Sequence, residues 1–134
     1  MIFVDSGAWI ALLDQADGHH AKARAFATEL SHGRHGRLVT TDYVLDEAAT
    51  YLRLHARSSA LIQFRSILEG SDSVELFWTT PARFWAAWDM LAGRDDRRWS
   101  LTDCVSFVTM ESLGIRSAFA FDSDFAQAGF DLLP

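Results

Sequence analysis

Short apolar runs alternate along the chain with longer stretches in which apolar residues recur every three or four positions. Ile2-Phe3-Val4 stops at Asp5-Ser6-Gly7, which predicts a buried strand handing over to a helix from Ala8 to about Asp14. After Asp17, the spacing of Ala21, Ala25, Phe26 and Leu30 predicts a second helix that Gly33 can end. Leu38-Val39-Thr40 is a second strand, and Thr41 or Asp42 caps a helix carrying Val44, Leu45, Ala48 and Leu52. A further helix runs from about Ser59 through Leu61, Ile62, Phe64, Ile67 and Leu68 to Gly70.

The second half repeats the alternation. Val74 to Trp78 is a third strand, and Thr80-Pro81 pairs an N-cap with a proline at the first helical position, ahead of Phe84, Trp85, Trp88 and Leu91. The polar stretch from Gly93 to Trp99 is a loop. Ser100-Leu101-Thr102-Asp103 opens another helix, with Leu101, Cys104, Val105 and Val108 on one face and Gly114 as its stop. Ala118 to Phe121 is a fourth strand, followed by a short turn or helix after Asp122-Ser123-Asp124 and a last strand at Phe130 to Leu132. Strands separated by helices imply an α/β fold, with a central parallel sheet of four to five short strands, right-handed crossovers and helices on both faces.

Composition narrows the options. A chain of 134 residues with 49% hydrophobic and 22% charged residues fits one domain, residues 1–134. The first residues carry no basic segment ahead of an apolar run, and no stretch approaches the roughly 20 apolar residues that span a bilayer, so a cytoplasmic protein without a membrane role is expected. The single cysteine, Cys104, can close no internal disulfide, and its place on an apolar stripe makes it a small buried residue and not a nucleophile. A net charge of −6 argues against a protein that coats nucleic acid. Contact with phosphates must then rest on local patches and bound cations. Eleven of the twelve cationic residues are Arg, which suits forked phosphate contacts.

Candidate chemistry lies in the acids. Ligands of an open parallel sheet bind outside the carboxyl ends of the strands, and Asp5 and Asp122 each end a strand while Asp103 opens a helix. Glu47 falls on the flank of the stripe made by Val44, Ala48 and Leu52, with Asp46 pointing farther out. Singly, each acid also has a structural reading: Asp5 as an N-cap, Asp103 in a capping box, Asp122 in a turn, Glu47 on a helix surface. Together at one edge they repel, by roughly 3 kcal/mol for a pair about 5 Å apart at a dielectric near 20. Divalent cations relieve that repulsion, and hard oxygen ligands suit Mg²⁺ or Mn²⁺, with metal-activated water attacking a phosphodiester as the consequent chemistry.

Four segments carry a resemblance: VDSGAWIALLD from Val4, VLDEAATYL from Val44, SLTDCVSFVTMESLGI from Ser100 and FAFDSDFAQAGF from Phe119. In order and spacing they resemble the PIN-domain family, and within it the VapC-type toxins of toxin–antitoxin pairs. The resemblance implies a metal-dependent endoribonuclease acting on structured RNA such as transfer or ribosomal RNA, a cognate antitoxin and a homodimer. It carries metal-site roles onto Asp5, Glu47, Asp103 and Asp122, a secondary one onto Asp124, and supporting roles onto the hydroxyls of Ser6 and Thr102. The alternatives are a non-catalytic RNA- or protein-binding module, a housekeeping nuclease without an antitoxin, and another phosphate enzyme, which would need a lysine near the sheet edge that Lys22 does not supply.

Other residues divide between chemistry and packing. Arg94, Arg97 and Arg98 lie in the loop before Asp103 and are the first candidates for RNA phosphate contacts, with solvated loop charge as the plain reading. Trp99 could stack on a base, although packing is the commoner role of a tryptophan at a helix start. Arg34, His35 and Arg37 should lie at the edge opposite the acids. His19 and His20 are neighbours and face different ways, which makes a poor ligand pair. Phe64, Trp85 and Trp88 are expected mostly in the core, and any that emerge as an exposed patch become candidates for the dimer or antitoxin interface.

Overall fold

A computed structural model describes residues 1–32 and 36–134. Gly33, expected to stop the second helix, and Arg34 and His35 lie outside the described residues. The described chain runs β1 (Ile2–Val4), α1 (Ser6–Leu13), α2 (His20–Ser31), β2 (Leu38–Thr41), α3 (Asp42–His55), α4 (Ser58–Gly70), β3 (Val74–Phe77), α5 (Pro81–Ala92), α6 (Leu101–Leu113), β4 (Ser117–Phe119), α7 (Asp124–Gln127) and β5 (Asp131–Leu133). All strand pairs are parallel and the sheet order is β3-β2-β1-β4-β5.

That order reverses direction at β1. The chain steps outward through β2 and β3, then returns to the other side of β1 for β4 and β5, so right-handed crossovers send α1 to α4 to one face and α5 to α7 to the other. Side chains agree with this layering. Phe119 of β4 meets Phe26 of α2 edge to face at 4.9 Å, whereas Phe3 packs toward Phe125 of α7, which in turn meets Phe107 of α6 at 5.1 Å. The fold is therefore an α/β domain with a parallel five-stranded sheet between two helical layers.

Cap chemistry sets several boundaries. Asp5 accepts the Gly7 N–H at 3.2 Å and so starts α1 at Ser6, two residues before the position expected from periodicity. Thr41 caps α3 through the Val44 N–H, and Thr80 with Pro81 opens α5. Ser100 and Asp103 form a reciprocal capping box on α6, and Gly114 ends that helix at φ 66°, a left-handed conformation that glycine adopts without strain. Thr40 is fully buried with its hydroxyl partnered on both sides: Thr40 Oγ1 donates to the Val4 carbonyl at 3.1 Å and accepts the Trp9 indole N–H at 3.3 Å. This bond pair ties β1, β2 and α1 together directly beneath Asp5.

Several expectations about the apolar faces need correction. In α2 the buried positions are Ala23 and Phe26, while Ala21 and Ala25 are exposed, because the helix turns a different edge of its mixed alanine stripe toward the sheet. Ile62 of α4 is 72% exposed, and Trp78 lies beyond β3 at 70% exposed. Phe64 is core as expected, but Trp85 and Trp88 are 59% and 47% exposed, because α5 buries only Ala87 fully and packs chiefly on α6. Strand β4 starts and stops earlier than expected, so Phe121 falls outside it.

Candidate active site

The reversal of strand order opens a crevice at the carboxyl ends of β1 and β4, where loops leave in opposite directions. Asp5 follows β1 directly, and its backbone N–H is held by the Phe119 carbonyl of β4 at 3.1 Å. One open cleft there is lined by Asp5, Ser6, Glu47, Asp103, Phe121 and Asp122, among others. Four carboxylates from four separate stretches of chain thus share one concave surface. The three aspartates and the glutamate expected at this edge are brought together.

Each acid is held by a different local device. Asp5 is only 6% exposed, clamped by its cap to α1. Glu47 accepts a hydrogen bond from the Ser6 hydroxyl at 2.5 Å, which links α3 to the start of α1. One oxygen of Asp103 accepts the Ser100 N–H at 2.7 Å, leaving the other for the cleft. Asp122 accepts the Asp124 N–H at 3.0 Å in the turn before α7. The structural and chemical readings of these acids are therefore compatible. A carboxylate has two oxygens, and the cap or turn occupies one while fixing the other.

Electrostatics records the crowding. Burial pushes the Asp5 carboxyl up to about 7, against the lowering effect of the Ser6 and Gly7 N–H groups, and the charges of Asp103 and Glu47 add to the rise. Burial also raises Asp103, opposed by its bonds to Ser100 and assisted by the charges of Asp124 and Asp122. Asp124 is raised by desolvation and by Asp122, with Arg97 acting in the opposite direction. The acids form a coupled series along the cleft with no lysine among the residues lining it.

The donor set fits a hard divalent cation. Among the described residues no three His, Cys, Asp or Glu side chains converge closely enough to hold an ion unaided. Mg²⁺ and Mn²⁺ fit such an open arrangement, because they are held through one or two carboxylates and keep several waters. An aspartate only 6% exposed that borders the same open cleft as Glu47, Asp103 and Asp122 is the observation that favours a cation there.

The remaining candidates separate. Ser6 touches the acids, but Thr102 does not line the cleft, and its carbonyl accepts the Ser106 hydroxyl at 2.9 Å. Arg97 reaches α7, donating to Gln127 Oε1 at 3.0 Å, and lies near enough to Asp124 to affect its titration. Arg94 and Arg97 lie over the Trp99 ring at 5.4 and 5.8 Å, and Arg98 is exposed. Trp99 is 7% exposed, packed against Phe107 at 5.0 Å and roofed by the two guanidinium groups, so stacking on a base is excluded. Burial pushes the Cys104 thiol up to about 11, in keeping with an inert core position. His20 is engaged with the Ala11 carbonyl at 2.7 Å while His19 stacks on Phe121, so the two histidines do not act as a pair. Phe121 was the cleft residue that alternation concealed: it reads as the end of a strand, and only the early stop of β4 moves it to the rim.

A parallel sheet with a carboxylate cleft at its reversal point defines the class, that of the PIN fold. The chain belongs to the PIN-domain family, whose profile matches residues 2–131. Within the family it is similar to the 23S rRNA-specific endonuclease VapC20 of Mycobacterium tuberculosis, 34% identical over 130 residues, which cover 97% of this chain and 95% of the relative. The crystal structure of M. tuberculosis VapC20, described as a Sarcin-Ricin loop cleaving toxin, superimposes with a TM-score of 0.86 at 32% identity over 97% of this chain and 96% of that one. FitAcB from Neisseria gonorrhoeae shares the fold at a TM-score of 0.65 and 14% identity, covering 100% of this chain and 97% of that one.

Proposed function

We propose that this chain is a VapC-type endoribonuclease toxin, working as one domain over residues 1–134, that hydrolyses phosphodiester bonds in structured RNA with the help of Mg²⁺ or Mn²⁺. Asp5, Glu47, Asp103 and Asp122 would hold the cation, part of them through its retained waters, with Asp124 assisting in the same way. When bound, the cation supplies an activated water and stabilises charge on the leaving oxygen. Ser6 keeps Glu47 turned into the cleft, and Ser100 does the same for Asp103. Arg97, anchored on Trp99 and Gln127, supplies positive charge at the Asp124 end for a substrate phosphate. With a chain charge of −6, approach of RNA depends on such local cations.

The single observation carrying this reading is Asp5, almost fully buried yet facing Asp103 and Glu47 in an open cleft. Ribosomal RNA is the first substrate to test, given the relatives' names. Purified protein should cut it with added Mg²⁺ or Mn²⁺, stop in EDTA, and lose activity on Asp103→Asn with the fold retained. Metal-independent cutting, or an unimpaired Asp103→Asn protein, would refute the assignment.

A cognate antitoxin and a homodimer complete the proposal. Trp85 and Trp88 cluster with the half-buried Phe84 on the outer side of α5, Trp85 meeting both other rings edge to face, a patch suited to covering by protein. No helix among the described residues is long and apolar enough to cross a membrane, and a cytoplasmic site of action is part of the proposal.

A further inference from the structure

Beside Asp122 the cleft has an aromatic wall. Phe121 lines it, and the His19 ring lies flat against Phe121 with centroids 4.3 Å apart and planes 7° from parallel. Phe119 braces Phe121 edge on at 6.0 Å, so the lower ring is fixed from the core side. The His19 backbone is fixed as well, its N–H donating to Asp17 Oδ1 at 2.7 Å, and the residue is exposed. A prearranged, outward-facing stack of two rings therefore begins one residue from a proposed metal ligand. Nothing in the cation chemistry requires it.

Stacking on aromatic or histidine rings is how proteins hold unpaired bases, and it works without net positive charge, which suits a chain at −6. Trp99, the tryptophan nearest in sequence to Asp103, is buried and cannot serve. We propose that the His19–Phe121 stack is a nucleobase platform, taking the base next to the phosphate held in the cleft on the outer face of His19. This deepens the nuclease reading and rests on it. A platform of this kind is tolerant of base identity but favours the larger ring surface of a purine over a pyrimidine.

The test uses fluorescently labelled oligoadenylate and oligouridylate, titrated onto the full chain in EDTA with anisotropy as readout. The wild type should bind oligoadenylate more tightly than oligouridylate, His19→Ala should weaken oligoadenylate binding about tenfold and erase the preference, and His19→Phe should restore it. Because His19 is exposed, circular dichroism melts of all three proteins should coincide. Unchanged binding by His19→Ala overturns the platform. So does an equal loss for both oligomers with a shallower salt dependence, which would make His19 a phosphate contact. Cleavage in Mg²⁺ is scored separately: a wild type that cuts RNA without any His19-dependent base preference sinks the platform alone, and one that binds through His19 but cuts nothing sinks the nuclease reading alone.

Discussion

Asp5→Asn should stabilise the metal-free protein at alkaline pH while disabling the site. In the unfolded chain the carboxyl loses its proton near 3.8, and in the fold only near 7, so between those values the native state carries the additional proton. The stability tied to that proton is complete below about 4 and lost as pH rises through about 7. A displacement from 3.8 to about 7 corresponds to about 4 kcal/mol once Asp5 is fully ionised. Asparagine never ionises, and it caps a helix as well as aspartate, so the bond to the Gly7 N–H survives.

Urea unfolding of both proteins in EDTA at pH 5 and pH 8.5 measures the effect. The advantage of Asp5→Asn should be about 1–2 kcal/mol at pH 5 and grow to about 4 kcal/mol at pH 8.5. Asp103 and Asp124 also titrate upward, but they are present in both proteins, so the difference between variants reports chiefly on Asp5. Added Mg²⁺ should then raise the stability of the wild type and leave Asp5→Asn much less changed. An advantage independent of pH, or a less stable variant at pH 8.5, would refute the claim that burying the Asp5 charge, with Asp103 and Glu47 adding to the cost, destabilises the metal-free protein.

Four further outcomes follow from the same geometry. At limiting Mg²⁺, RNA cleavage should increase as pH rises through about 7, because protons and metal compete for Asp5, and saturating metal should move the midpoint lower; a flat profile would contradict this. Ser6→Ala removes the hydroxyl that orients Glu47 and should weaken metal affinity about 10- to 100-fold by calorimetry, with the fold intact. Thr40→Val leaves the Trp9 indole N–H buried without its acceptor and should cost about 1–3 kcal/mol in urea unfolding, without altering the chemistry of the cleft. Changing Trp85 and Trp88 together to serine should shift a dimer to monomer in sedimentation; an unaltered oligomer would place the interface elsewhere.

How legible the molecule was in its sequence depends on the kind of signal each residue emits. Strand and helix order could be read because Val44, Ala48 and Leu52 repeat at helical spacing, and all three are buried. Asp5 and Asp122 could be grouped because strand ends in a parallel sheet share an edge, a rule of topology that needs no side-chain detail, whereas Asp103 and Glu47 were added from a helix start and a helix flank. Trp85 and Trp88 misled for a physical reason: periodicity identifies an apolar face but is silent on whether this chain covers it, and α5 carries more apolar surface than its contacts with α6 bury. Trp99 followed its commoner reading as a packing residue, since the cations that made its loop look like an RNA surface instead close over its ring.

The Phe121 wall was hidden by a shift of register. In Ala118-Phe119-Ala120-Phe121 alternation puts both phenylalanines on one face of a strand, yet pairing ends at Phe119, opposite Val4 and Leu133. Strand β1 is only three residues long because Asp5 has to leave it to cap α1, and β4 runs alongside it only as far as Val4. The cap that buries the central carboxylate therefore also ends the pairing of β4 with β1, two residues short of Phe121. The buried acid and the half-buried ring at the rim are two results of one early strand end. Lengthening β1 by replacing the Asp5 cap with a residue that favours a strand should thus withdraw Phe121 from the cleft along with the carboxylate.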